Sequence, residues 1–130
     1  MALEYLHENH VVYRDIKPEN IMLDSEGHVR LIDFGLSKIG VSDSPHSFTR
    51  TLCGTNCYMA PEVVKKDFYG PMADWWSYGV LAYDMMTGGP PFSTNGDKYD
   101  LYKKILYDPI RISSRIDNDA RRFIKGFMNR

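Results

Sequence analysis

Cysteine is scarce in this chain: Cys53 and Cys57 are the only two among 130 residues. Two thiols build no disulfide framework, and their spacing lacks the paired knuckles of a zinc site. His7 and His10 lack cysteine or carboxylate companions at ligand spacing, so no imidazole metal centre is expected. No apolar run approaches the roughly 20 residues that a membrane-spanning helix needs. The opening Met1-Ala2-Leu3-Glu4 lacks the basic-then-apolar layout of a signal peptide, and no Asn-x-Ser/Thr acceptor occurs. Net charge is nearly missing as well. At -1 the chain has no global basic field to draw in nucleic acid or an anionic membrane. These absences leave a reduced, soluble, intracellular protein as the expectation, cytoplasmic with the nucleus left open, and without a nucleic-acid partner or membrane span.

What is present suits a folded domain. The chain is 43% hydrophobic and 13% aromatic, enough for one compact unit with a core. Cations gather toward the end, at Lys103, Lys104, Arg111, Arg115, Arg121, Arg122, Lys125 and Arg130. They read either as solvated helix faces or as a docking patch.

Leu3, Leu6 and His7 fall at helical spacing, so residues before Asn9 read as the tail of a helix with no capping residue ahead of it. Ile21-Met22-Leu23 and Val29-Arg30-Leu31-Ile32 are β-type runs around the turn-forming Asp24-Ser25-Glu26-Gly27, which predicts an antiparallel hairpin. Residues 36 to 59 read as one long polar loop, a length that is usually functional. Gly70-Pro71 opens a helix that Gly88-Gly89-Pro90-Pro91 stops. Between them Trp75, Trp76, Tyr78, Val80, Leu81, Ala82, Tyr83, Met85 and Met86 cover every side, which predicts a helix buried at the centre of a helical domain. Apolar stripes mark two more helices, one over Leu101, Tyr102, Ile105 and Leu106. The other runs over Ala120, Phe123, Ile124, Phe127 and Met128. The fold class expected is mainly α with one small β-hairpin.

Within this frame one tract carries chemistry: Tyr13-Arg14-Asp15-Ile16-Lys17-Pro18-Glu19-Asn20, then Asp33-Phe34-Gly35. Phosphoryl transfer needs a base to orient the incoming hydroxyl, plus metal ions and cations to hold the phosphates. Asp15, in a loop after a helix, offers the accepting carboxylate. Lys17 offers a cation for the charge that redistributes on the phosphate. Asn20 offers an amide oxygen to a hard divalent cation, and Asp33 a full carboxylate. The hairpin between them brings Asn20 and Asp33 to one face.

These motifs, with Ala60-Pro61-Glu62 further on, resemble the protein-kinase signature. Tyr13 at the first position resembles the AGC group, and Lys17 with Pro18-Glu19-Asn20 looks like the serine/threonine type. Asp74-Trp75-Trp76-Ser77-Tyr78-Gly79 matches the helix that anchors the catalytic loop in that family. Asn20-Ile21-Met22-Leu23, Gly27-His28-Val29 and the stretch from Tyr83 to Gly88 look closest to the ribosomal-protein (S-six) kinase branch. The resemblance implies the C-terminal lobe of the protein-kinase-like fold, with residues 1–130 a partial kinase domain running from the catalytic loop to the penultimate helices.

By that resemblance Asp15 is the catalytic base, with Lys17 beside it. Lys17, Glu19, Asn20, Met22 and Asp33 would contact ATP, and Asn20 and Asp33 would hold Mg2+. Thr55 would bond near the base, and Glu19 and Asp84 would receive basic residues of a protein substrate. For Asp84 a plain solvated helix charge stays open. Tyr13 and Phe34 would stack in one internal spine, while Met22, Leu81 and Met85 would join a second that adenine completes, or serve as ordinary core. Thr51 in Thr51-Leu52-Cys53-Gly54-Thr55 matches an activation-loop phosphosite for an upstream kinase, with Arg14 and Lys38 as the phosphate clamp. Glu62 and Asp74 would be structural.

The chain departs from the family at Cys57, where an acidic residue is usual. The arginine that would pair with Glu62 is expected beyond Arg130. The glycine-rich loop, its lysine and the helix glutamate are not among these residues, so the 130 residues are expected to be inactive alone. Cys53 is either oxidisable or an inert packed thiol. A non-catalytic truncated paralogue and a small-molecule phosphotransferase of kinase-like fold are the alternatives to a serine/threonine protein kinase.

Overall fold

The structure, a computed structural model, describes residues 1–42, 47–114 and 116–130. Among the described residues are five α-helices: α1 (Ala2–Glu8), α2 (Pro61–Lys65), α3 (Met72–Thr87), α4 (Lys98–Tyr107) and α5 (Asn118–Phe127). Strands β1 (Val11–Val12), β2 (Ile21–Leu23), β3 (Val29–Leu31) and β4 (Lys38–Ile39) form two antiparallel pairs. The expected hairpin is β2–β3, with Ile21 opposite Leu31 and Leu23 opposite Val29. Its turn is built by Asp24, whose Oδ1 accepts from the Glu26 and His28 amides at 3.0 and 2.9 Å.

The second sheet is a correction to the single-hairpin expectation. Val11 pairs with Ile39 and Val12 with Lys38. Two-residue strands from distant parts of the chain leave no period to read, so only the folded backbone could bring them together. The stretch expected as one polar loop therefore holds β4 and a short turn of helix at Asn56–Tyr58.

Helix α3 forms the axis of the core. It starts after Pro71 and ends at Gly88 in the left-handed conformation. Ala73, Trp76, Val80 and Leu81 on it pack with Leu3, Ile16, Tyr58, Met59, Val63, Phe92, Leu101, Ile105, Ile124 and Met128. Ile105 and Ile124, the centres of the two predicted stripes, are fully buried, and such side chains contribute about 1.5–3 kcal/mol each. α3 and α5 approach so closely at Gly79 that a Cβ there would lie 2.7 Å from Met128 Cγ. Burial on every side holds only to Leu81. Met85 is 78% exposed and Met86 48%, because the last turn of α3 runs out from under its neighbours.

Side chains tie the Asn56–Tyr58 turn to α3 and α4. Ser77 Oγ donates to the Tyr58 carbonyl at 2.7 Å, and Tyr102 OH donates to Asn56 Oδ1 at 3.0 Å. Among the described residues no helix is long and apolar enough to cross a membrane.

Candidate active site

β1 delivers the chain to the predicted tract, and the first two residues of that tract are held by one buried carboxylate. Asp74, 1% exposed in α3, accepts from the Tyr13 amide through Oδ2 and the Arg14 amide through Oδ1, both at 2.8 Å. His7 Nε2 lies 2.8 Å from the same Oδ2 and donates to it. Arg14 has φ of +70°, a left-handed conformation that costs a bulky residue energy. The Asp74 bonds hold it there. Reading the sequence found Asp74 but missed His7, since nothing in its spacing signals a partner in α3.

Asp15 follows, 6% exposed, with three side chains converging on it. Lys17 Nζ donates to Oδ2 at 2.7 Å, Asn20 Nδ2 to Oδ2 at 2.9 Å, and Thr55 Oγ1 to Oδ1 at 3.0 Å. Burial alone would push the Asp15 carboxyl up. The bonds from Lys17, Thr55 and Asn20 outweigh it and hold the group below the usual carboxylate range. Lys17 is raised in turn, chiefly by its bond to Asp15. Asp15 is therefore an ionised, pre-oriented acceptor at neutral pH.

The hairpin sets the distance from Asn20 to the next carboxylate. The Ile32 amide donates to the Asn20 carbonyl at 3.0 Å, which places Asp33 one residue beyond that pairing. Asp33 has φ of +58°, is exposed, and accepts from the Gly35 amide at 3.0 Å. The Asn20 amide nitrogen faces Asp15, so its Oδ1 is the atom left to serve as an oxygen ligand. One amide oxygen and one carboxylate are donors a magnesium ion takes alongside phosphate oxygens and water. Among the described residues no cluster of three or more His, Cys, Asp or Glu could hold a metal without such help.

Tyr13 is fully buried and meets the edge of Phe34 with ring centroids 5.3 Å apart. Its hydroxyl donates to the Ile32 carbonyl. Burial, with the charges of Asp15 and Asp33, pushes that phenol up to about 12, so it stays a donor.

The other wall is the segment leading to Ala60-Pro61-Glu62. Gly54 has φ of +103°, and a Cβ there would lie 2.6 Å from the Arg14 carbonyl oxygen. No other residue fits between this segment and the catalytic tract without a shift. Thr51 is exposed; its carbonyl accepts from Tyr69 OH at 2.6 Å, and its Oγ1 lies 3.5 Å from Thr49 Oγ1. Lys38 Nζ donates to that Thr49 Oγ1 at 2.9 Å. Arg14 donates through Nε to the Leu36 carbonyl at 2.6 Å, and its Nη1 lies 3.5 Å from Tyr69 OH. Thr51, Arg14 and Lys38 are thus gathered, with Thr49 and Tyr69 as partners the sequence reading did not name.

The protein kinase domain family matches residues 1–130, the whole chain. The chain belongs to this family. The kinase domain is 46% identical over 130 residues to the serine/threonine-protein kinase gad8 of Schizosaccharomyces pombe, covering 100% of this chain and 22% of that protein. It is 46% identical to the RAC-beta serine/threonine-protein kinase of Rattus norvegicus, covering 99% of this chain and 26% of the relative. It is 44% identical to the serine/threonine-protein kinase Sgk1-B of Xenopus laevis, covering 99% and 29%. These relatives are AGC kinases, and the family is enzymatic. The kinase domain thus spans less than a third of the length of these relatives.

Around this centre the remaining expected residues separate. Asp84 accepts from Tyr58 OH, which burial, and then Asp84 itself, push well up. Cys57 is half-buried in the field of Asp84 and Glu19. Burial first, then those two charges, raise its thiol, which disfavours a reactive thiolate. Of the residues expected in a second spine, Leu81 and Met85 line an apolar groove with Ile21 and Leu23, whereas Met22, between them on the strand, is not part of that lining and is 54% exposed. Burial raises Glu62, and Arg130 does not reach it: that guanidinium lies over Trp76 and Phe92 and donates to the Ile105 carbonyl at 2.9 Å.

Half of the basic cluster, Lys104, Arg121, Arg122 and Arg130, is engaged in structural contacts. Arg121 donates to the Ser113 carbonyl at 3.1 Å, Lys104 pairs with Asp100 at 3.0 Å, and Arg122 pairs with Asp119. Arg115 lies outside the described residues. These contacts favour solvated and helix-capping roles over a docking patch.

Proposed function

We propose that this kinase domain transfers the γ-phosphoryl of ATP to serine or threonine hydroxyls of protein substrates. The observation that carries the reading is the convergence of Lys17, Asn20 and Thr55 on the buried Asp15 carboxylate. A hydroxyl brought to Asp15 finds a carboxylate already oriented, so little reorganisation is left for the reaction itself. Because this carboxyl sits below the usual range, it is a weak base. It orients the hydroxyl first and takes the proton late, as suits a loose transition state. Lys17, already beside Asp15, supplies a cation to the redistributing phosphate charge. When bound, ATP supplies the phosphoryl group and Mg2+ neutralises charge on its oxygens. Asn20 and Asp33 would hold the metal, while Lys17, Glu19 and Met22 would contact the nucleotide.

The same reading makes Thr51 the site of an upstream kinase, with Arg14 and Lys38 receiving its phosphate. Glu19 and Asp84 would receive basic residues near the phosphoacceptor, and Thr55 would order the base. The stretches Asn20–Leu23, Gly27–Val29 and Tyr83–Gly88 support an assignment of the domain to the ribosomal-protein (S-six) kinase branch, in the cytoplasm with the nucleus open. Residues 1–130 would be the C-terminal lobe, with the glycine-rich loop and its lysine supplied by another part of a complete kinase.

The test compares peptide phosphorylation by the 130 residues, by a complete kinase containing them, and by its Asp15→Asn form. The 130 residues alone should be inactive. The substitution should lower kcat by about 10²–10⁴-fold. An Asp15→Asn kinase that keeps its rate would overturn the mechanism.

A further inference from the structure

Tyr69 lies outside both the catalytic tract and the segment that carries Thr51, yet the two meet at its hydroxyl. Its side chain is almost wholly buried, and its backbone exchanges two hydrogen bonds with Thr49, at 3.0 and 2.9 Å. The phenol donates to the Thr51 carbonyl at 2.6 Å, and Arg14 Nη1 and Cys53 Sγ lie 3.5 and 3.7 Å from the same oxygen. On the other side Lys38 donates to Thr49 Oγ1, the atom 3.5 Å from Thr51 Oγ1. The two expected clamp cations are therefore referred to one residue, Arg14 through the Tyr69 hydroxyl and Lys38 through the Thr49 bridge, whereas Arg50, next to Thr51 in the chain, turns away to the Lys66 carbonyl.

We propose that Tyr69 is a positioning residue that spaces Thr51 against Arg14 and Lys38, so that a phosphate clamp is assembled before any phosphate is added. This rests on the reading of Thr51 as a phosphorylated residue. The physical reason is preorganisation. A clamp whose cations already stand at the right spacing loses little conformational entropy when the anion arrives. The hydroxyl suits the task because it can donate to the loop carbonyl and accept from Arg14 at once.

The phosphate itself reports the outcome. Phosphorus NMR would follow its titration in the 130-residue chain carrying phosphothreonine in place of Thr51. The same titration would be run with Tyr69→Phe and with para-aminophenylalanine at that position. A free phosphothreonine loses its second proton near pH about 6, and two adjacent cations should lower that midpoint by roughly one unit. Tyr69→Phe should return the midpoint toward the free value while near-ultraviolet circular dichroism shows native packing. The para-amino ring, which restores a donor to the Thr51 carbonyl but is a poor acceptor for Arg14, should lower it only part of the way. An undepressed midpoint in the parent chain means the clamp reading fails. A depressed midpoint that Tyr69→Phe leaves untouched overturns the role of Tyr69 alone. Should the phenylalanine form not fold, the para-amino form decides, and a midpoint in it equal to the parent's overturns the proposal.

Discussion

The catalytic tract and the Thr51 segment lie against each other and are held in opposite ways. From Tyr13 to Asn20 the chain hangs on two buried carboxylates, Asp74 beneath it and Asp15 within it, each receiving three donors. The described part of the Thr51 segment carries no buried carboxylate of its own and is pinned by the Thr49–Tyr69 bridge, the Tyr69 hydroxyl, the Lys38 bond to Thr49 and the close pass of Gly54 over Arg14. Thr51 and Leu52 themselves are exposed. Charge buried with a full set of partners makes a rigid support, and isolated contacts near exposed backbone make an adjustable one. Geometry that must be ready before reaction sits on the first kind.

The sharpest way to break this contrast is Asp74→Ala. It leaves the Tyr13 and Arg14 amides and the His7 ring without their acceptor. Each buried orphan costs about 1–3 kcal/mol, so the chain should lose roughly 3 kcal/mol or more in urea denaturation, and a smaller loss would show that water replaces the carboxylate. Next is Gly54→Ala, which forces a Cβ against the Arg14 carbonyl at an unfavourable φ. About 1–3 kcal/mol is expected, with hydrogen exchange quickening at residues 51 to 55 more than at 13 to 20. Equal quickening in both would mean that the two regions are one unit.

Of comparable size, Thr55→Val removes one bond to the ionised Asp15 and sharpens the comparison by its pH dependence. Hydrogen bonds to charged groups are worth about 1.5–3 kcal/mol. Because Asp15 is depressed in the fold, its contribution is present above the unfolded value of about 3.9 and fades as pH falls through the folded value. The stability gap between parent and Thr55→Val should therefore be widest near neutral pH and close in acid. A gap unchanged by acid would mean that Thr55 acts by packing alone.

Much of the site was legible because its chemistry is local in sequence. Asp15, Lys17 and Asn20 lie within one loop, and the turn at Asp24 announces the hairpin that carries the chain toward Asp33. The apolar stripes of α4 and α5 were equally plain, since a period of 3.6 survives in the sequence. His7, Thr49 and Tyr69 were not legible. Each is an ordinary residue for its element, and its role arises only from what packs against it. Met22 and Met85 show the same limit from the other side, because apolar character alone does not say whether a residue is covered.

By itself, then, the sequence determined the family, the spacing of the candidate site residues and four of the helices, for these rest on spacing along the chain. Tertiary structure alone decided that Asp74 would hold Tyr13, Arg14 and His7 together, that β1 would meet β4, and that Tyr69 would join the catalytic tract to Thr51. Those contacts close long loops whose partners share no local pattern, and only burial of the α3 core supplies the free energy to close them.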